Sequence, residues 1–180
     1  MKLREIEKIV LSGVFLALAI VLPFLTGQVQ FLGQRFLPMH LPVLICGFIC
    51  GSKYGLTVGI VAPILKSLIT GVPPLYPVAL AMAFELGAYG FFTGLLYKLF
   101  KKNIAGIYAS LILAMLIGRV FLGIANVVLL GLDGLSYSFS AFIAGAFVNA
   151  VPGIIFQLVL VPMIIYALQK YKISRNYNEV

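Results

Sequence analysis

Charge is what this chain has least of. Only 10% of its 180 residues are Asp, Glu, Lys or Arg, against about 25% in an ordinary globular domain. That shortage, with 62% hydrophobic residues and a mean hydropathy of +1.12, argues against a water-soluble fold. Carboxylates are scarcest. Asp133 is the sole aspartate, which excludes the aspartate cluster of a metal-assisted transfer. HExxH and GxSxG are also missing, so neither a zinc hydrolase nor a serine hydrolase is indicated. The stretch GIVAPILKS at 59–67 ends in Lys-Ser like a phosphate-binding loop. Leu65 stands where that loop needs glycine, however, and the surroundings are apolar, so no nucleotide site is expected. Cysteine is limited to Cys46 and Cys50, one helical turn apart with no histidine close by, which reads as packing rather than as a metal or redox pair.

Long hydrophobic runs are abundant. A membrane-crossing helix needs roughly 20 apolar residues, and the pattern predicts an all-α, polytopic membrane protein forming a single domain over 1–180, with six transmembrane helices. The segments are about 6–25, 39–51, 56–70, 78–100, 104–130 and 138–169. The first follows a basic stretch, 1–8, as a secretory signal would. It has no clear small-x-small cleavage site, and further apolar runs follow, so a first transmembrane helix fits better. A polar loop or a re-entrant cap is expected at 26–38 and a tight turn at 51–55. The prolines at 73, 74 and 77 make 71–77 the clearest loop of the chain. Segments two and three are short for full spans and are expected to be tilted or partly interfacial. The sixth is long enough to project from the membrane or to bend at Pro152 and Pro162.

The net charge of +8 does not point to nucleic acid, because the basic residues cluster between apolar runs rather than along one polar face. With the N-terminus inside, Lys2, Arg4, Lys8, Lys53, Lys98, Lys101, Lys102, Lys170, Lys172 and Arg175 all fall on the cytoplasmic side, whereas Arg35 alone falls outside. Cytoplasmic loops retain such an excess of Lys and Arg, so both termini are predicted to be cytoplasmic.

Lys66, Glu85 and Arg119 lie inside predicted spans, where charge is costly and normally faces a protein interior or a wet cavity. Asn126 and Asn149 fall in the outer halves of segments five and six, and Gln157 lies further in. Two arrangements fit. The polar groups line a small-ligand pocket open to the outside, with two cations against one carboxylate favouring an anionic ligand. Alternatively, Glu85 pairs with Lys66 or Arg119, the amides bridge helices, and Lys66 snorkels to the surface. His40 is placed at the start of segment two as a cap or a ligand contact. Arg35, Phe31, Phe36 and Tyr76 sit in the outer loops, either covering a bound molecule or anchoring at the headgroups. Glycines recur at helical spacing, at 47 and 51, 55 and 59, 90 and 94, as expected where helix backbones approach closely. In the first segment Gly13, Ala17 and Ala19 suggest a flat face for a partner subunit.

The stretches PMHLPVLICGFICGSKYGL (38–56) and SLITGVPPLYPVALAMAFELGAYGFFTGLLY (67–97), with the length, the six-segment layout and the basic inner ends, resemble the substrate-binding S component of energy-coupling-factor vitamin transporters, in the broad group that includes pantothenate-type members. The resemblance implies a small six-helix protein of the cell membrane, not an enzyme and without a cofactor. It would bind a water-soluble vitamin from outside and work with a transmembrane coupling subunit and two cytoplasmic ATPases. It also implies ligand contacts at Arg35, His40, Tyr76, Glu85, Asn126 and Asn149, with Lys66 or Arg119 neutralising an anionic group. The coupling subunit would meet Gly13, Ala17 and Ala19, although Gly13 departs from a strict alanine pattern. Pantothenate suits the surplus positive charge; riboflavin, a pyridoxine-type vitamin, or a cobalamin or queuosine precursor are the alternatives. A small enzyme acting on lipid or prenyl groups would need a carboxylate cluster or a surface nucleophile, and the sequence offers neither.

Overall fold

The computed structural model describes residues 4–26 and 35–178, which are almost entirely helical, with no strand among them. The predicted 26–38 loop, including Phe31, lies mostly outside the described residues. Among the described residues the main α-helices are, in order, α1 (Glu5–Val21), α2 (His40–Cys50), α3 (Ser52–Thr70), α4 (Leu80–Leu99), α5 (Ile104–Leu132), the short α6 (Phe139–Ile143) and α7 (Val151–Asn178). Among the described residues, four stretches are long and apolar enough to cross a membrane: Glu5–Phe24, Leu75–Leu99, Ile104–Leu132 and Val151–Lys170.

α2 occupies the centre. Nine of its eleven residues are buried, which explains a sequence apolar on every side; it is an inner helix, not an interfacial one. The turn after it is tighter than the predicted 51–55. Gly51 alone leaves helical geometry, at φ 97°, a conformation open to glycine. Gly55 is free of the turn and serves packing instead.

That packing draws α3 and α4 together. A Cβ on Gly90 would lie 2.1 Å from the Gly55 carbonyl oxygen, and one on Gly59 would lie 2.2 Å from that of Leu86. A Cβ on Gly47 of α2 would lie 2.0 Å from the Thr93 hydroxyl oxygen. The small-residue pattern of these segments is therefore an internal seam. Pro63, inside α3, cannot donate to the carbonyl four residues back, which belongs to Gly59 at the same seam.

The last predicted segment is broken. After α6 the chain makes a π-type turn, Ala144–Val148, and only at Val151 does α7 begin. Pro152 is the physical cause: it has no amide to donate and its ring excludes the carbonyl of Val148, yet it fits the first turn of a new helix. Pro162, by contrast, lies within α7.

Contacts between helix ends sort the bundle into two poles. The Tyr54 hydroxyl donates to Glu5 at 2.7 Å, and Gln169 donates to Tyr97, so Arg4, Lys8, Lys53, Lys98 and Lys170 gather at one pole. At the other pole Tyr76 donates to the carbonyl of Leu129, and a Cβ on Gly153 would lie 2.7 Å from the Arg35 carbonyl oxygen.

On α1, Gly13 and Ala17 are exposed, and a Cβ at Gly13 would meet nothing within 4 Å. Ala19 corrects the expected partner face. It is wholly buried in a cluster with Val43, Cys46 and Val58, because two residues beyond Ala17 is about 200° around a helix.

Gly90→Val is expected to lower stability by about 3 kcal/mol, since backbone rather than a movable side chain must yield. Gly13→Ala is expected to leave the isolated chain as stable as before. Thermal unfolding in detergent checks both, and equal unfolding temperatures for the two variants would refute the seam.

Candidate functional site

Glu85 lies one and a half turns into α4, on the side turned away from solvent and lipid, and is 2% exposed. Arg119 of α5 brings its Nη1 to 2.7 Å from Glu85 Oε1, and His40, the first residue of α2, brings its Nε2 to 3.5 Å from Oε2. Both partners are buried, at 4% and 1% exposure. Three helices thus converge on one carboxylate. A charge in so apolar a surrounding is tolerable only when paired, and the partner of Glu85 is Arg119, not Lys66.

The pairing is incomplete in hydrogen bonds. The Arg119–Glu85 approach is close but misaligned, leaving Glu85 Oε1 without a hydrogen bond. Nε and Nη2 of Arg119, both ring nitrogens of His40 and the hydroxyl of Tyr89 are likewise buried without partners. Tyr89 is one turn from Glu85 on α4, its ring edge-on to His40 with centroids 5.5 Å apart. Gln157 of α7 is fully buried with both amide atoms unpartnered, and its helix neighbours Ile154, Leu158 and Val161 pack in the same apolar cluster as Tyr89. Buried polar atoms are nearly always satisfied, and these exceptions are concentrated around one ion pair.

Towards the pole of Tyr76 the cluster continues into a rim. Tyr137, half-buried in the connection after α5, lies near enough to Glu85 and to the side chain of Asn126 to be influenced by both. Burial first, and then the negative charge of Glu85, push the Tyr137 hydroxyl above its ordinary value. Asn126 is half-buried, and Leu129, whose carbonyl accepts from Tyr76, lies three residues further along α5. Leading into α2, Leu37 is buried with φ 51°, a left-handed conformation costly for a branched residue. Its carbonyl accepts from the His40 amide at 3.1 Å, so this strained residue is what sets His40 at the head of the helix.

His40, Glu85 and Arg119 are therefore brought together, with Tyr137 and Asn126 nearby and Tyr76 beside them. Arg35 has an exposed side chain at the same pole. Lys66 departs from the expected grouping. Although 2% exposed, its Nζ is 3.0 Å from the Thr70 hydroxyl and 4.2 Å from the centre of the Phe24 ring, towards α1. Asn149 also departs, with an exposed side chain at the end of the π-type turn.

Tyr89 and Tyr137 were not singled out in the sequence. Tyr89 carried a usable signal, being four residues from Glu85 and hence on its face of the helix. Tyr137 carried none, because only the tertiary path of the connection brings it above Glu85. Among the described residues no group of three or more His, Cys, Asp or Glu is placed to hold a metal.

No curated protein and no solved structure matches the chain. A family model described as the substrate-specific component of ECF transporters matches residues 7–165. That stretch takes in α1 through most of α7, including every residue of the buried cluster, in a multi-pass membrane fold. The chain belongs to the family of ECF transporter substrate-specific components.

Proposed function

We propose that this substrate-specific subunit captures pantothenate from outside the cell at the pole where His40, Glu85, Tyr89 and Arg119 converge. Uptake would then be powered by a coupling subunit and two ATPases. The observation that carries the reading is the set of unpartnered buried polar atoms around the Glu85–Arg119 pair, which includes donors on Arg119 and Tyr89. Donors fixed in an apolar surrounding suit a ligand rich in acceptor oxygens, such as a carboxylate, a hydroxyl or an amide carbonyl. Pantothenate carries all three. Tyr137, Asn126 and Tyr76 would form the rim through which it enters, with Arg35 at the same pole.

We further propose six spans, with α2 and α3 as the second and third and the α6 region opening the sixth. Both termini would be cytoplasmic, as the basic pole favours. Gly13 and Ala17 offer an exposed strip of small residues on α1 for the coupling subunit, which Ala19 cannot join from the interior.

Calorimetric titration of the purified protein with pantothenate, riboflavin and pyridoxine is expected to give saturable binding for pantothenate alone. Tyr89→Phe removes one unpartnered hydroxyl without changing packing. It is expected to weaken binding about tenfold, the worth of one good hydrogen bond, at an unchanged unfolding temperature. Unaltered affinity in both Tyr89→Phe and Asn126→Ala would sink the site; binding of a different vitamin, weakened by the same variants, would sink only the choice of pantothenate. The ion pair is tested separately. Glu85→Ala, which strands Arg119, is expected to cost about 3–5 kcal/mol of stability, and the Glu85→Ala/Arg119→Ala double variant less. Thermal unfolding reads both, and additive losses would contradict the pairing.

A further inference from the structure

A second concavity lies on the outside of the bundle, away from the buried cluster. α3, α4 and α5 leave between them a groove of about 420 Å³ lined by apolar side chains, with Leu56, Ile60 and Ile64 on one wall and Phe84, Phe92 and Phe121 on the other. At its floor Gly87 lets the α3 wall pack close to α4: a Cβ there would lie 2.9 Å from Ile60 and 3.4 Å from Leu56. Phe84 is 56% exposed and Phe121 41%, so the walls stand out from the surface as ridges. From Leu56 to Ile64 the groove follows α3 for about 12 Å at a rise of about 1.5 Å per residue, close to the roughly 15 Å thickness of hydrocarbon in one leaflet.

The two ends differ in charge. On α3, Lys53, Leu56, Ile60 and Ile64 share one face at helical spacing, so exposed Lys53 stands one turn beyond the groove at the basic pole. On α4, Phe91, Leu95 and Lys98 continue the opposite wall to the same pole, where Lys98 is also exposed. Glu5, at the same pole, is held first by Lys8 at 2.6 Å and by Tyr54 at 2.7 Å, with Lys53 a weaker electrostatic neighbour. At the other end the connection 71–77 carries no charge, and Lys66 is turned towards Phe24. A molecule that matches both features has an apolar chain and an anionic head at the basic pole.

We propose that this groove is a binding site for one anionic phospholipid of the leaflet at the basic pole, with an acyl chain laid between α3, α4 and α5 and its phosphate between Lys53 and Lys98. The site lies on a different side of the molecule from Gly13 and Ala17, so lipid and coupling subunit would not compete for one surface.

Native mass spectrometry of the full chain, released from detergent doped with phosphatidylglycerol or with phosphatidylcholine of the same chains, tests the proposal. The wild type is expected to retain one phosphatidylglycerol and to shed phosphatidylcholine. Lys53→Ala/Lys98→Ala is expected to lower that preference about fivefold for each lysine. Ile60→Trp, which fills the groove from an exposed position, is expected to lower retention of both lipids; Phe84→Ala, which removes one wall, serves the same purpose should the larger side chain disturb folding. Equal retention of the two lipids by the wild type would overturn the proposal, as would an unchanged preference in the double lysine variant. Undiminished retention in both groove variants, or recovery of a neutral lipid or a polypeptide from the groove, would overturn it as well.

Discussion

In a bilayer the hydrophobic effect does not drive one helix against another, because lipid tails are as apolar as the side chains they would replace. Helices there associate through close van der Waals contact, and in this protein the contact is backbone on backbone. Gly55 and Gly90 meet with no room for a side chain on either, Gly59 lies against the Leu86 carbonyl, and Gly47 brings α2 against Thr93. From this seam follows the position of everything else. α2 is enclosed, α1 lies against α2 and α3, and the face of α4 that bears Glu85 and Tyr89 turns inward towards α5.

That inward face creates an electrostatic problem whose solution defines the site. A carboxylate buried among hydrocarbon must be paired, and Arg119 supplies the charge from the adjoining helix, with His40 at the head of α2 beside it. Gly118, next to Arg119, is where the Tyr89 ring packs: a Cβ there would lie 2.0 Å from a ring carbon. The small residue thus admits the aromatic and the following residue delivers the guanidinium. Charge is balanced while hydrogen bonding is not, so the polar cluster is held rigidly yet keeps capacity for further bonds. Those properties are compatible with the binding role proposed above.

The same geometry separates functions around the bundle. Polar recognition is at one pole, positive charge at the other. The exposed strip of α1 and the aromatic-walled groove of α3, α4 and α5 lie on different flanks. On the proposed reading, solute, coupling subunit and lipid would each be met through different physics: buried hydrogen bonds, small-residue packing, and apolar shape with charge at one end.

What the sequence determined by itself is whatever depends on composition and local spacing. Apolar runs placed the helices within a few residues, basic clusters collected at one pole, and Glu85 and Arg119 stood out because charge is rare and costly in such runs. The glycine repeats marked close packing before any partner was visible. What only the tertiary structure decided is which of several compatible residues meet. Lys66 and Arg119 were equal candidates for Glu85 until the rotation of α3 turned Lys66 to Phe24. Ala19 read as surface beside Ala17 until the position of α2 buried it. Tyr137 was unremarkable until the path of the chain after α5 carried it over the carboxylate. Spacing along one helix sets which residues share a face, but which face is covered, and by which neighbour, is settled by contacts between segments far apart in the chain, and no local pattern encodes those.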